Sequence, residues 1–210
     1  MSLGRKPVIA GNWKLNKTVK ESIELVTLLK RSISDDVHTE IIVCPPFTAI
    51  NAVAEVLMES PIRVGAQDVY WEEKGAFTGE ISASLLKEAG AAFIIVGHSE
   101  RRQFFHETDQ TVNRKTKAVL KAGLTPIVCV GETLAEREAA KTLEVLKTQI
   151  TGSLEGLNSQ EIQKCIIAYE PVWAIGTGKV ATCAQAQEAH DFIRKQIGTL
   201  FGASAASAVR

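Results

Sequence analysis

The sequence predicts an α/β protein of parallel strands, buried on both faces and covered by the helices that follow them. Three observations lead there. Short β-branched or apolar runs alternate with amphipathic segments along the chain, which is the pattern of repeated β-α units. The runs lack the strict polar-apolar alternation of a strand with one wet face, so both faces are covered. Polar residues collect at the C-terminal ends of these runs: Asn12 and Lys14, Gln67 and Asp68, His98 and Glu100, Glu132, and Glu170. An open doubly wound sheet and a closed barrel both satisfy the alternation. In a barrel the strand ends converge on one face, where its chemistry occurs, whereas an open sheet spreads them along a line. The dinucleotide fingerprint Gly-x-Gly-x-x-Gly is missing, since Gly176-Thr177-Gly178 has no third glycine at the right spacing and follows the last strand run. That favours the barrel.

The elements follow in order. Residues 7–13 form the first strand run, after which Val19, Ile23, Val26, Leu29 and Ile33 recur at helical steps behind a Thr18/Glu21 capping box. Residues 40–45 form the second, followed by Ile50, Val53, Ala54 and Leu57 on one helix face. The third, residues 62–68, runs into the longest irregular connection, residues 65–79, which is unusually aromatic for a loop; Leu85, Leu86 and Ala89 then mark a helix. The fourth, residues 93–98, leads into Ser99-Glu100-Arg101-Arg102, a helix start, and then Val112, Thr116 and Val119. After the fifth, residues 125–131, the pattern Leu134, Glu138, Val145 and Ile150 is less clean. The sixth, residues 165–170, precedes a Thr182/Gln185 capping box and a helix carrying Ala189, Phe192, Ile193, Ile197 and Leu200. Residues 196–209 are uncharged and belong to a helix end or a connection.

A chain of 210 residues can bury one sizeable core, so a single domain over residues 1–210 is expected. Lys plus Arg and Asp plus Glu balance at 24 each, which argues against nucleic acid or an anionic membrane as partner. Cys44, Cys129 and Cys165 lie in apolar runs, Cys183 opens a helical pattern, and no Cys-x-x-Cys occurs. These are the reduced thiols of a cytoplasmic protein rather than a disulfide or zinc framework. The N-terminus lacks an apolar leader, and no segment reaches the roughly 18 apolar residues of a membrane span.

The richest stretch is residues 166–179, IIAYEPVWAIGTGK. An apolar strand carries Glu170 to its end, in surroundings poor in water where a carboxylate serves as a general base. Pro171 holds an extended exit, and Gly176 and Gly178 can turn amides toward an anion, as a phosphate-gripping lid would. A plainer reading is a β-to-α loop with a surface Glu. His98 stands before a helix start, whose partial positive charge favours the neutral imidazole, a donor able to polarise a carbonyl; a packed strand-end histidine is the alternative. Lys14 can lay its stem on apolar surface and bring its ammonium to the mouth, with Asn12 nearby and Glu100 as a pairing partner across it. Singly these are weak signals. Together they suit proton abstraction next to a carbonyl on a small phosphorylated substrate. With no metal-ligand cluster and no nucleophile beside a base, the carbanion is to be stabilised by hydrogen bonds and charge alone, as an enediolate.

AGNWKLN, VGHSERR, GAFTGEIS and AYEPVWAIGTGK closely resemble the motifs of the triosephosphate isomerase family, in the right order, and the resemblance runs from about residue 7 to residue 210. It implies the TIM (β/α)8 barrel and the interconversion of dihydroxyacetone phosphate and D-glyceraldehyde 3-phosphate, a step of glycolysis and gluconeogenesis. It assigns Glu170 as base, His98 as electrophile, Asn12 and Lys14 as the substrate-binding pair, and Gly176 as the lid glycine that meets the phosphate. It implies no cofactor and no metal, and a homodimer in which residues 66–80 insert into the partner subunit near its Asn and Lys. The family continues past the position of Arg210 with two more β-α units, whose Gly-Ser and Gly-Gly loops complete the phosphate site. The expectation is therefore six of eight units, a C-terminally incomplete barrel, with a gap beside the first and sixth strands and little activity from residues 1–210 alone. The alternatives are an inactive barrel fragment serving interaction or folding, and a barrel isomerase of another small sugar phosphate.

Overall fold

The computed structural model describes residues 4–33 and 38–210. Met1 to Leu3, the start of the segment in which no leader is read, lie outside the described residues. The chain divides into two compact units: one takes the chain up to Val96, residues 117–126 and Arg210, the other residues 97–116 and 127–209.

In the first unit, β1 (Val8–Asn12), α1 (Val19–Ser32), β2 (Glu40–Cys44), α2 (Ile50–Val56), β3 (Ile62–Ala66), α3 (Ala83–Glu88) and β4 (Phe93–Val96) follow the expected alternation. The four strands are parallel and lie in chain order, with Val8 opposite Glu40, Ile41 opposite Ile62 and Gly65 opposite Phe93. The capping box is formed: the Thr18 hydroxyl accepts from the Glu21 N–H at 3.3 Å, and the Glu21 carboxylate accepts from the Thr18 N–H at 2.7 Å. Val26, Ile42, Ile50, Val53, Leu86 and Ile94 are buried as periodicity requires. β1 departs from it, because Ile9 is 65% exposed. As the edge of this unit's strand order, β1 has a covering neighbour on one side only.

The second unit holds α4 (Ser99–Phe104), the start of α5 (Asp109–Lys121), most of β5 (Thr125–Val130), α6 (Leu134–Glu138), α7 (Thr142–Ser153), α8 (Ser159–Ile162), β6 (Ile166–Tyr169), α9 (Cys183–Phe201) and α10 (Ala203–Ala208). β5 and β6 pair in parallel from Ile127 opposite Ile166 to Val130 opposite Tyr169. Leu146, Ile150, Leu154, Ile162 and Ile197 fill its core.

Two helical features were blurred in the sequence. The irregular pattern after β5 is two helices, broken where Ala140 takes φ 56° and the Lys141 N–H closes on the Glu136 carbonyl. α8 follows from a short capping box in which Asn158 accepts from the Gln160 and Glu161 N–H groups. One turn leaves too few positions to show a helical period. The uncharged residues 196–209 are the end of α9, a turn at Gly202 with φ 90°, and α10.

Candidate active site

The second unit brings two of the predicted site residues into contact. β6 hands Glu170 to the site just past Tyr169, and the Glu170 N–H still donates to the Val130 carbonyl at 2.8 Å, continuing the ladder by one bond. β4 ends one residue before Gly97, whose φ of +69° turns the chain; a Cβ there would stand 2.8 Å from Val112 Cγ2. Only glycine fits both demands. His98 then becomes the N-cap of α4, and its Nδ1 accepts the Glu100 N–H at 3.2 Å. A ring nitrogen that accepts a backbone N–H carries no proton, so the neutral tautomer holds its hydrogen on Nε2. Nε2 lies 3.0 Å from Glu170 Oε1. The other carboxylate oxygen, Oε2, accepts the Ser99 N–H at 2.9 Å. Both side chains are largely shielded from water, at 9% and 14% exposure.

Arg102 fixes the turn into His98. Its Nε donates to the Gly97 carbonyl at 2.9 Å and its Nη1 to Asp109 Oδ1 at 2.6 Å. Glu100 places its carboxylate 3.6 Å from His98 Nδ1.

Past Pro171 the chain makes a 3-10 turn, Val172–Ala174, and then the glycine loop. Gly176 and Gly178 have φ of +67° and +77°, and a Cβ on either would meet nothing within 4 Å. The loop therefore needs glycine for its backbone, and its tip lies open. Its root is tied down. Glu132, fully buried, accepts the Trp173 Nε1–H at 2.8 Å, the Tyr169 hydroxyl at 3.0 Å and Arg137 Nη1 at 3.0 Å. The Arg137 guanidinium also lies 4.6 Å from the centre of the Trp173 ring. Burial, and then the Glu132 charge, push the Tyr169 phenol well above its ordinary range, so it stays a donor. A cavity of about 560 Å³ lies beside this root, lined among others by Ser99, Gly131, Leu134, Val172, Trp173 and Thr177.

The first unit holds the other predicted pair. Asn12 ends β1 and its Oδ1 accepts the Lys14 N–H at 3.0 Å. Lys14 has φ 54°, a conformation costing a side-chain-bearing residue about 1–2 kcal/mol. The Gln67 amide holds it there by donating to the Lys14 and Cys44 carbonyls, each at 2.9 Å. Gln67 stood out in the sequence as a strand-end polar residue, and the structure supplies its task. In the predicted dimer loop, the Tyr70 ring packs at a tilt against Trp71 and Phe77 with ring centres 4.2 and 4.8 Å apart, while Phe77 remains 41% exposed.

Sequence reasoning missed the Ser99 N–H on Glu170 and the role of Glu132. The first is a backbone group with no sequence signature; the second was visible only as a strand-end acid. Among the described residues, no group of three or more His, Cys, Asp and Glu is placed to hold a metal ion, and no helix is long and apolar enough to cross a membrane. Cys44, Cys129 and Cys165 are buried and Cys183 is exposed, and none of the four forms a disulfide. Burial pushes the Cys44 and Cys165 thiols up to about 12.

Comparison with known proteins places the chain beside triosephosphate isomerases. The family model described as triosephosphate isomerase matches residues 7–210. The chain is 56% identical over 206 residues to the triosephosphate isomerase of Citrifermentans bemidjiense, covering 98% of this chain and 82% of that one. It is 54% identical over 203 residues to that of Moorella thermoacetica, covering 97% and 81%. The crystal structure of triosephosphate isomerase from Bartonella henselae superposes with a TM-score of 0.87 at 40% identity, covering 98% of this chain and 81% of the other.

Proposed function

The chain belongs to the triosephosphate isomerase family, and from that premise we propose that it interconverts dihydroxyacetone phosphate and D-glyceraldehyde 3-phosphate through an enediolate. The observation that carries the reading is the His98–Glu170 pair, in which Glu170 Oε1 stands 3.0 Å from His98 Nε2. Glu170 takes the proton from the carbon next to the carbonyl, the electron pair moves onto the carbonyl oxygen, and the His98 Nε2–H stabilises the charge that develops there. The substrate's hydroxyl proton then moves from its own oxygen to this one, and Glu170 returns the proton it abstracted to the former carbonyl carbon, which completes the isomerisation. With both Glu170 oxygens engaged by Ser99 and His98, substrate entry has to free the carboxylate before it can act. Lys14 and Asn12 bind the substrate, and the Gly176 amide grips its phosphate as the lid excludes water.

The same proposal includes a single β/α-barrel domain with six of the family's eight units in these residues, cytoplasmic location, and a homodimer through residues 66–80. The aromatic cluster of that loop, with Phe77 exposed, supports the last point. Glu170→Gln keeps the shape and removes the base, so turnover falls by about 10²–10⁴-fold or more with substrate analogues still bound. Near-normal turnover in that variant would end the assignment. Residues 1–210 compared with the same residues followed by a relative's remaining C-terminal segment, in folding and in turnover, test the six-of-eight reading.

A further inference from the structure

The polar side chain that most directly supports the base without touching the reaction is Gln149, on α7. Its Oε1 accepts the Gly131 N–H at 2.8 Å, and its Nε2 donates to the Gly131 carbonyl at 3.1 Å. One amide thus completes both backbone groups of one residue, as a neighbouring strand would. Gly131 is the first residue past the end of β5, and the Gln149 amide is the partner of both its backbone groups. It is also the seat of Glu170: a Cβ on Gly131 would stand 1.7 Å from the Glu170 carbonyl oxygen. The peptide of the base rests on bare Gly131 backbone, and the Glu170 N–H is held by the adjacent Val130 carbonyl.

From this we infer that Gln149 is a positioning residue for the isomerisation, acting through Gly131 to hold Glu170 in register with His98. The inference rests on Glu170 being the base. Glycine has the widest backbone freedom of any residue, so a glycine seat keeps its shape only if its N–H and carbonyl are held. Gln149 is the side chain that does so. Loss of the clip lets the Gly131 backbone rotate and the Glu170 backbone follow it. A displacement of about 1 Å in a proton-transfer geometry costs on the order of a hundredfold in rate.

Two substitutions test this. Gln149→Leu keeps the bulk and removes both hydrogen bonds; kcat is expected to fall about ten- to a hundredfold while KM stays within about twofold, since the proposed substrate contacts are Asn12, Lys14 and Gly176. Gln149→Glu keeps an acceptor for the Gly131 N–H but sets a second oxygen against the Gly131 carbonyl, a clash relieved when the acid is protonated and donates. Its kcat relative to the parent is therefore expected to climb as pH falls, a signature that lost packing alone would not produce. Parent-like kcat in Gln149→Leu, or a Gln149→Glu ratio independent of pH, overturns the inference. Hydrogen exchange separates it from the proposed function: in Gln149→Leu the Gly131 and Glu170 amides exchange faster while those of α9 keep their rates. The kinetics are read in residues 1–210 followed by a relative's remaining C-terminal segment; should that parent show no isomerase turnover, the functional assignment falls, and unchanged exchange at Gly131 and Glu170 would then sink the clip as well.

Discussion

Along the connection from β6 to α9, residues 170–174 are tied at their polar atoms, whereas residues 175–180 are all exposed. The root carries Ser99 and His98 on the Glu170 carboxylate and sends the Trp173 N–H to buried Glu132. The tip has two positive-φ glycines with open space around them and a few local bonds, such as that from the Thr177 hydroxyl to the Trp173 carbonyl at 2.6 Å. The difference teaches how a lid can move without loosening the base at its root. Segments with few buried contacts open at low local free energy, while a hydrogen-bonded root opens only with its whole neighbourhood. The proposed base lies on the rigid side of that boundary and the proposed phosphate grip on the soft side.

The sharpest way to erase the contrast is Glu132→Leu. It removes a fully buried charge and strands the Trp173 N–H, the Tyr169 hydroxyl and Arg137, so about 3–5 kcal/mol of stability should be lost in denaturant titration. Exchange at residues 170–174 should then approach that of the tip.

Tyr169→Phe removes one donor from the same carboxylate and should cost about 1.5–3 kcal/mol, the range for hydrogen bonds to charged groups. The parent also carries an alkaline signature from this residue. Because the phenol is raised above its ordinary value of 10.0, the folded state holds the proton more tightly than the unfolded one. That contribution is complete below pH 10 and is lost as pH rises above it, and Tyr169→Phe should show a shallower decline there.

At the tip, Gly176→Ala meets no atom but must adopt φ +67°, so about 1–2 kcal/mol of backbone strain is expected. With the tip already open, most of that strain should appear as a lid that orders less well over a bound enediolate mimic, read as weaker amide protection of residues 175–179, and little of it in global unfolding. Thr177→Val should have the smallest effect, about 0.5–1.5 kcal/mol, since the bonds it loses, to the Trp173 carbonyl and from the Lys179 N–H, are both local. A larger global loss from either tip substitution than from Tyr169→Phe would invert the comparison.

Sequence legibility followed a different boundary, that between features set by chain neighbours and contacts between groups far apart in the chain. Glu170, His98 and Gly176 were readable because each stands at a marked place: an apolar run ending in a carboxylate, a histidine before a helix start, a glycine pair after proline. Asn12 and Lys14 were marked by their place past the first strand. Covalent neighbours and local propensity set such features, so strands, capping boxes at Thr18 and Thr182, and strand-end polar residues are determined by the sequence itself. What only the tertiary structure decided depends on groups far apart in the chain. The Ser99 N–H meets Glu170, Gln149 closes on Gly131, and Glu132 gathers Tyr169, Trp173 and Arg137, because packing of α7 and of the β5 and β6 ends brings them within hydrogen-bond reach. A buried carboxylate or an unpaired strand end must find partners wherever the fold supplies them, and one sequence read along its length does not contain that distance.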